Sequence, residues 1–288
     1  MTTFSESVRK YEQLCEENDV PAETVMAFLV ELSQKERYNL YMNFDNEMPE
    51  DLKERFDEGM ARILKQEPMS HVLGYSWFYG YRFIVNPDVL IPRPETEELC
   101  ANILSRMDEF FPDQEEIRCV DIGTGSGAIA VTIAMEEPKV NMSATDISAD
   151  ALKTAEKNAE ENGAKIRFLC GDMTEPLLAE ETKYDVLICN PPYIPEDEEM
   201  ESSVVDYEPH VALFGGKDGL YFYRRVFDTC RQIMKEKSFM AFEMGWNQRE
   251  AMSALVESTL PEAEYEILKD MNGKDRMLFV YFNLKKKQ

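Results

Sequence analysis

The chain has 288 residues, 44% hydrophobic and 30% charged, a composition typical of a globular protein with one large and one small domain. Its formal net charge of −25 at pH 7 disfavours nucleic acid as a partner, because a strongly negative protein repels phosphate backbones. No apolar run approaches the ~20 residues of a membrane helix, no secretory signal is evident, and the six cysteines form no C-x-x-C pair. We therefore expect a cytoplasmic protein with reduced thiols and no metal site.

Residues 1–72 are predicted to form a helical domain, because apolar side chains recur there at the spacing of amphipathic helices. Pro21 suits the first turn of a second helix. Between 73 and 92 the sequence is rich in aromatic and β-branched residues, with Gly80 and Asn86-Pro87 as turn signals, which predicts a linking β-hairpin. The apolar positions of the helical stripes are Phe4, Val8, Tyr11, Leu14 and Cys15, then Val25, Phe28, Leu29 and Leu32, then Leu52, Phe56, Met60, Ile63 and Leu64.

Residues 93–288 alternate between helix and strand patterns, which predicts a mostly parallel, doubly wound α/β sheet. Ser148 and Asn162-Gly163 mark the start and end of one helix, and the turn Asn272-Gly273 predicts an antiparallel pair of strands. The stretch MKEKSF (234–239), which leads into the fifth strand, is interpreted as a loop. Cysteines in apolar runs such as RFLCG and VLICN are expected in the core. The predicted strands carry the runs IRCVDI, VNMSATD, KIRFLC, YDVLICN, SFMAFEMG, EYEILKDM and RMLFVYFN.

The run VDIGTGSG contains a glycine-rich turn of the kind that binds a nucleoside cofactor. Its three glycines follow a predicted strand and precede a predicted helix, so the chain can turn sharply and bring its backbone close to a ligand. Asp146 ends the second predicted strand, where an acid in doubly wound folds accepts hydrogen bonds from ribose hydroxyls. The spacing G-x-G-x-G resembles the first motif of S-adenosylmethionine-dependent methyltransferases more than the G-x-G-x-x-G of dinucleotide sites. The residues assigned to this site are Gly123, Thr124, Gly125, Ser126, Gly127, Asp146, Asp172 and Met173.

Asp172 and Met173 follow the third predicted strand, where either residue could border an adenine. An ordinary turn acid is the alternative for Asp172.

Asn190-Pro191-Pro192-Tyr193 follows the fourth predicted strand and is the candidate catalytic segment. Ligands of open α/β sheets bind at the carboxyl ends of the strands, so this segment and the glycine turn are expected to face one crevice. An amide nitrogen is a poor nucleophile because its lone pair is delocalised, and a catalyst can hold its two hydrogens so that the lone pair faces a methyl donor. The Asn190 side-chain oxygen and the Pro191 carbonyl are the predicted acceptors, with Tyr193 against the planar group. These residues predict methyl transfer to an NH₂ group by positioning, without a metal.

Seven stretches of the sequence together resemble the release factor glutamine methyltransferases, the PrmC/HemK family. They lie within residues 73–285, roughly three quarters of the chain, and the run LGYSWFYGYRFIVNPDVLIPRPETEEL is the most diagnostic. NPPY alone is also found in methyltransferases of adenine. Residues 1–72 resemble the family only in their helical character. The matching stretches are 73–99, 120–130, the strand end at Asp146, 190–195, 207–226, 242–248 and 272–277.

The resemblance implies a Rossmann-like, seven-stranded, class I methyltransferase domain at 93–288, joined by a β-hairpin linker at 73–92 to a helical substrate-recognition domain at 1–72. It implies S-adenosyl-L-methionine as the cofactor and peptide chain release factors as the protein substrate. The implied product is N(5)-methylglutamine in the Gly-Gly-Gln motif. We expect a monomer without a nucleic-acid or membrane partner.

The same resemblance implies roles for individual residues. Asn190 contacts both cofactor and glutamine, and Pro191, Pro192 and Tyr193 frame the glutamine. A further group lines the cleft entrance, and its alternative is a capped helix start with acids in the first turn. This group consists of Arg93, Pro94 and Glu97, with Glu95 and Thr96 as further candidates.

Two other substrates stay open. One is a glutamine of a ribosomal protein, for which only the docking surface would differ; the other is an adenine of DNA or RNA, which would require a flipped base and a basic track. The acidic run 196–199 is either a solvated loop or a contact for a basic protein. His71 and His210, the only histidines, are expected to have structural or cleft-lining roles.

Overall fold

The structure is a computed structural model, and it describes residues 2–35, 37–198 and 207–284. These residues form two compact units, one reaching to Tyr75 and including Tyr207, the other comprising the remaining residues from Ser76 onward. None of the helices in these ranges is long and apolar enough to cross a membrane. Glu199, the last residue of the acidic run, lies outside the described residues. The domain boundaries at residues 72 and 92 stay a prediction.

Five helices make up the described part of the N-terminal unit. The first begins after Thr3, whose hydroxyl accepts a hydrogen bond from the Glu6 amide, while the Glu6 carboxylate accepts one from the Thr3 amide. Pro21 does not lie in the second helix, which begins at Glu23. It belongs to the turn before that helix, where its carbonyl accepts a hydrogen bond from the Thr24 amide. The helices are α1 (Phe4–Glu17), α2 (Glu23–Ser33), α3 (Arg37–Met42), α4 (Glu50–Ile63) and α5 (Met69–Leu73).

A β-hairpin follows α5, and the buried Asn158 is one of the residues that bond it to the rest of the second unit. Its strands are β1 (Tyr75–Phe78) and β2 (Tyr81–Ile84), so the turn lies at Gly80 and the pair Asn86-Pro87 falls beyond the hairpin. The Asn158 side chain accepts from the Ile84 amide at 2.7 Å and donates to the Ile84 and Ser126 carbonyls at 3.0 and 2.8 Å. Asn158 therefore connects the hairpin to the glycine turn.

The second unit alternates helix and strand along the chain. Ser148 caps α8 by accepting from the Ala151 amide at 3.1 Å, and Gly163 ends that helix in a left-handed conformation, as the sequence predicts. Its helices are α6 (Pro94–Phe110), α7 (Ala128–Glu136), α8 (Ala149–Asn162), α9 (Glu175–Leu178), α10 (Tyr221–Ile233) and α11 (Arg249–Thr259). Its strands are β3 (Ile117–Ile122), β4 (Val140–Asp146), β5 (Ile166–Cys170), β6 (Tyr184–Cys189), β7 (Met234–Glu243), β8 (Glu264–Lys269) and β9 (Asp275–Phe282).

The seven strands form one sheet in the order β5-β4-β3-β6-β7-β9-β8. The strands β3 to β7 are parallel to their neighbours, and β9 is antiparallel to both β7 and β8. The predicted α/β fold and its antiparallel last pair are confirmed. Apolar clusters on the two faces of the sheet bury it between the helices, as expected for a mostly parallel sheet.

The interpretation of MKEKSF as a loop is wrong, because β7 begins at Met234, directly after α10. Met234 pairs with Tyr184 and Phe239 with Val186, so five steps along β7 match two along β6. The extra residues form a bulge, and the Lys235 ammonium lies 2.6 Å from the buried Asp185 carboxylate. A bulge of polar residues carries no apolar alternation, which explains why the sequence indicated a loop.

The six cysteines are free, and five of them are buried as expected. Cys170 is the exception and is exposed. It ends β5, which is the edge strand of the sheet and carries no fully buried residue. Its place in an apolar run was therefore a poor guide to burial.

Candidate active site

The glycine turn and the Asn190 segment follow neighbouring strands in the middle of the sheet. Ile122 of β3 lies opposite Cys189 of β6, so Gly123 and Asn190 are the next residues of two adjacent strand ends. From β3 the chain builds one side of the sheet, and from β6 it builds the other. This is the topological switch point, where open α/β sheets bind ligands. The structure thus brings the two predicted segments together.

The glycine turn owes its shape to left-handed backbone angles. Gly123, Gly125 and Gly127 have φ values of +73°, +56° and +80°, which other L-residues rarely adopt. A Cβ at Gly127 would also lie 3.1 Å from the Cβ of Ala155, because α8 packs closely there. A Cβ at Gly123 or Gly125 would meet no described atom within 4 Å, so the backbone beside them is open to a ligand.

Two carboxylates, the buried Asp121 and the partly buried Asp146, hold this turn in place. Asp146 accepts from the Gly125 amide at 2.8 Å and from the Ser148 amide at 2.9 Å, and Asp121 accepts from the Thr124 hydroxyl at 2.6 Å. Burial raises the pKa of Asp121 to about 7, and the charge of Asp146 acts in the same direction. Burial also raises the pKa of Asp146, against the effect of its amide donors. Asp146 retains lone pairs for further donors, such as ribose hydroxyls.

A cavity of about 430 Å³ opens at these strand ends, within the size range of small-molecule sites. Its charged lining residues are Asp88, Arg93, Asp146 and Asp172. S-adenosylmethionine fits this lining, because Asp146 suits a ribose, Met173 offers an apolar border for adenine, and the acids favour a positive sulfonium. The other lining residues include Thr96, Ile122 to Ser126, Ala128, Ile129, Ile147, Ser148, Ala151, Cys189 to Pro192, Pro209, Ala212, Phe214 and Phe222.

Asp172 and Met173 both line this cavity. The Asp172 carboxylate is paired with the Arg225 guanidinium at 2.8 Å, which the turn-acid alternative allows as well. Met173 has a left-handed φ of 52°, and its carbonyl accepts from the Thr145 hydroxyl at 3.0 Å. Contact of either residue with an adenine stays a prediction.

The candidate catalytic segment is held in place by hydrogen bonds to Tyr193. Gln248 donates to the Tyr193 carbonyl at 3.0 Å, and the Tyr193 hydroxyl donates to the Glu243 carboxylate at 3.3 Å. Burial raises the pKa of Tyr193, so its hydroxyl keeps the proton that it donates. A Cβ at Gly219 would lie 2.2 Å from the Tyr193 carbonyl oxygen, so this position requires glycine. Tyr193 is not among the described residues that line the cavity, and its ring packs against the core.

A chain of hydrogen bonds runs from Asn190 to a buried carboxylate. The Asn190 amide nitrogen donates to the Thr96 hydroxyl over a long 3.5 Å, and Thr96 donates to Glu243 at 2.6 Å. Thr96 and Glu243 are 4% and 3% exposed. Burial raises the pKa of Glu243, while the Thr96 hydrogen bond, the Arg276 charge and the Tyr193 hydroxyl lower it. Asn190, which lines the cavity, is thus connected through Thr96 to the buried Glu243.

Arg93 lines the cavity and is paired with a second buried acid. Its guanidinium donates to Glu208, whose other carboxylate oxygen accepts from the Ile91 amide at 3.2 Å. Glu208 is 4% exposed. This ion pair joins the start of α6 to the loop that carries Pro209, another lining residue.

Pro94 and Glu97 do not share the position of Arg93 in the cavity lining, and their place at the cleft entrance stays a prediction. Pro94 is the first residue of α6, and Glu97 accepts from the Tyr79 amide of the hairpin at 2.7 Å. Neither is among the described residues that line the cavity, whereas Thr96 is. Successive helical residues point about 100° apart, so Thr96 and Glu97 face different partners.

Comparison with known proteins covers both units. Residues 6–74 match the family model described as PrmC N-terminal domain, and residues 103–207 match the one described as Methyltransferase small domain. A release factor glutamine methyltransferase of Bacillus subtilis (strain 168) is 42% identical over 245 residues, which are 84% of this chain and 85% of the relative. One of Staphylococcus aureus (strain NCTC 8325 / PS 47) is 37% identical over 252 residues, 87% and 88% of the two chains. The chain belongs to the release factor glutamine methyltransferase family.

The family resemblance is confirmed and extends further than the sequence motifs indicated. Because residues 6–74 match a family model, the view that 1–72 resembles the family only in helical character is wrong. A crystal structure of a methyltransferase from Pyrococcus furiosus, 18% identical, covers 78% of this chain and 98% of its own with a TM-score of 0.53. It supports the class I methyltransferase fold.

Two residues of the site, Glu208 and Glu243, escaped the sequence analysis, and Thr96 was named there only as a further candidate for the cleft entrance. All three are buried polar residues. Thr96 contacts both Asn190 and Glu243, and Glu208 contacts Arg93. The signal was partly present, because all three lie inside stretches that resemble the family. Their roles required knowledge of which strands and helices are adjacent.

Proposed function

We propose that this protein transfers a methyl group from S-adenosylmethionine to the side-chain amide nitrogen of the glutamine in the Gly-Gly-Gln motif of peptide chain release factors, giving N(5)-methylglutamine. Relatives at 37–42% identity carry the name release factor glutamine methyltransferase, which supports this substrate. The acid-lined cavity at the switch point supports the cofactor. The N-terminal unit is the proposed recognition domain for the release factor.

One observation carries the proposal: the orientation of Asn190 beside the glycine turn. Its amide nitrogen donates to Thr96, so its oxygen is left to face the cavity. There the oxygen can accept one hydrogen of the substrate NH₂ group, and the Pro191 carbonyl can accept the other. A planar amide held in this way presents its nitrogen lone pair toward the glycine turn. Asn190 and Pro191 are therefore the proposed catalytic residues.

Positioning is the main contribution of the protein to this reaction. S-adenosylmethionine, when bound, supplies an already activated methyl group on a positively charged sulfur. Asn190 and Pro191 orient the acceptor nitrogen, and the apolar walls of the cavity exclude water, which strengthens both hydrogen bonds. Holding two reactants in line corresponds to effective molarities of up to about 10⁵–10⁸ M. The amide nitrogen loses one of its two protons as the N–C bond forms, and we assign this proton to solvent water, with no general base of the chain.

Adenine also offers an NH₂ group, which makes nucleic acid the competing substrate. The charge of the chain and the names of its relatives favour a protein instead. The chain carries a net charge of −25, and the residues just beyond Tyr193, Glu196 to Glu198, are exposed acids. Such a surface repels phosphates and suits a basic protein. Single-stranded nucleic acid would instead require a positively charged groove.

The test is transfer of radiolabelled methyl from S-adenosylmethionine to purified substrates. A release factor should be labelled, a factor with Gly-Gly-Ala should not, and ribosomes or duplex DNA should stay unlabelled. Mass spectrometry should locate the added methyl on the glutamine side chain. Label on ribosomal protein or on DNA, with an unlabelled release factor, would contradict the proposal.

A further inference from the structure

We propose that Thr96 and Glu243 are positioning residues that fix which way the Asn190 side-chain amide is turned. The inference rests on the proposed function, since it concerns how Asn190 receives the substrate NH₂ group. The three residues come from three separate parts of the fold: the first turn of α6, the end of β7 and the segment after β6. Neither Thr96 nor Glu243 needs to touch the substrate for this role.

The orientation follows from the number of protons on the Thr96 hydroxyl. A carboxylate accepts hydrogen bonds only, so in the 2.6 Å contact Thr96 is the donor. A hydroxyl has one proton, and once that proton is given to Glu243 the oxygen can only accept. Asn190 must then turn its NH₂ toward Thr96 and its oxygen toward the cavity. The reversed amide would place two acceptor oxygens against each other.

The surroundings of Glu243 indicate why a charged group occupies this position. Thr96 donates to one of its carboxylate oxygens and Tyr193 to the other, so both hydroxyl protons point to the same anion. Burying an ionised carboxylate is costly, and apolar residues of similar volume often replace buried charges without loss of stability. A buried glutamate beside Asn190 is therefore better explained by orientation than by fold stability. Arg276 balances its charge nearby.

The Asn190–Thr96 contact is long, which fits a site that tightens when substrate binds. At 3.5 Å it lies at the upper limit of a hydrogen bond. Catalytic hydrogen bonds are often long without substrate and shorten in the reactive complex. Thr96 and Glu243 therefore bias the amide before substrate arrives, and the substrate NH₂ completes the arrangement.

Removal of the Thr96 hydroxyl is the direct experiment. Thr96→Val keeps the shape of the side chain, and we expect kcat for release-factor methylation to fall about 10- to 100-fold, with KM and the cofactor Kd within about threefold. Thr96→Ser retains the hydroxyl and should stay within about threefold of the wild type. Thr132→Val, the same change at a buried threonine of α7, should leave kcat unchanged. If the Val variant does not fold, Thr96→Ala replaces it.

A double-mutant cycle separates positioning from a structural role. If Thr96 acts through Asn190, adding Thr96→Val to Asn190→Ala should lower kcat by less than about twofold. The inference would be overturned if the losses in kcat of the two single variants multiplied in the double variant. A Thr96→Val enzyme with wild-type kcat would overturn it as well. A Thr96→Ser enzyme as slow as the Val enzyme would also overturn it.

One measurement is independent of the substrate assignment. The side-chain NH₂ signals of Asn190, assigned by their loss in Asn190→Ala, should move in the ¹⁵N–¹H spectrum of Thr96→Val and keep their place in Thr132→Val. Unmoved signals would refute the positioning role even if no release factor were methylated. Failure of the wild type to label a release factor, with shifted signals, would refute only the proposed function.

Discussion

Replacement of Asp121 by asparagine should stabilise the protein in a pH-dependent way. Asp121 is 1% exposed, and burial raises its pKa from the ordinary value of 3.8 to about 7. The folded state thus binds the proton more tightly than the unfolded chain, and stability is lost as pH rises from about 4 to about 7. Three pKa units at about 1.4 kcal/mol each give a full effect of about 4 kcal/mol.

Solubility limits the pH range in which this loss of stability can be measured. The isoelectric point is about 4.5, so we choose pH 5.5 to 8, which contains about half of the titration. Asp121→Asn should gain about 2 kcal/mol of unfolding free energy relative to the wild type between these two pH values. The asparagine oxygen can still accept from Thr124, so the hydrogen bond is kept.

Urea unfolding followed by tryptophan fluorescence measures this difference. The chain has two tryptophans, Trp77 and Trp246, and both lie in the same compact unit as Asp121. Asp228→Asn, at an exposed position of α10, controls for the loss of one negative charge from a chain of net charge −25. A gain that is the same at pH 5.5 and pH 8, after subtraction of this control, would refute the argument.

Three further substitutions test the site. Asn190→Ala should lower kcat by about 100-fold or more and leave cofactor affinity within about tenfold, because the lost contact acts mainly in the transition state; equal losses, measured by calorimetry and turnover, would make it chiefly a cofactor ligand. Gly219→Ala should lower kcat at least about tenfold, because a Cβ would lie 2.2 Å from the Tyr193 oxygen; unchanged turnover would contradict the close contact. Asn158→Ala should cost about 2–4 kcal/mol of unfolding free energy in urea, because Ile84 and its neighbours lose their buried partner; a loss below about 1 kcal/mol would show that water replaces it.

The sequence predicted the fold correctly where the structure of a segment depends on its own residues alone. Ser148 and Gly163 delimit α8 by capping, and the Asn272-Gly273 turn joins the antiparallel strands β8 and β9. The bulge at the start of β7 escaped prediction, because its shape depends on Tyr184 and Asp185 of the partner strand. The exposed Cys170 escaped for a similar reason, since edge position is a property of the whole sheet.

The candidate site was predictable only in its chain-local parts. The glycine turn and the Asn190 segment are short runs at strand ends, and the parallel order of the strands brings them together. Thr96 and Glu243, by contrast, are 147 residues apart in sequence. A proton donor and its acceptor at that separation leave no periodic or spacing signal. The same limit explains why the contact between Glu97 and the hairpin amide of Tyr79 left no signal in the sequence.

The first turn of α6 sets a limit on how this family member can change its length. Arg93, Thr96 and Glu97 reach Glu208, Glu243 and the hairpin from three sides of a single turn. A substitution alters one of these contacts and leaves the other two in place. An inserted or deleted residue between Arg93 and Glu97 turns the side chains on one side of it by about 100° relative to the rest of α6, and so breaks more than one of these contacts. We expect natural length variation to avoid residues 85–97 and to collect in loops away from the cavity.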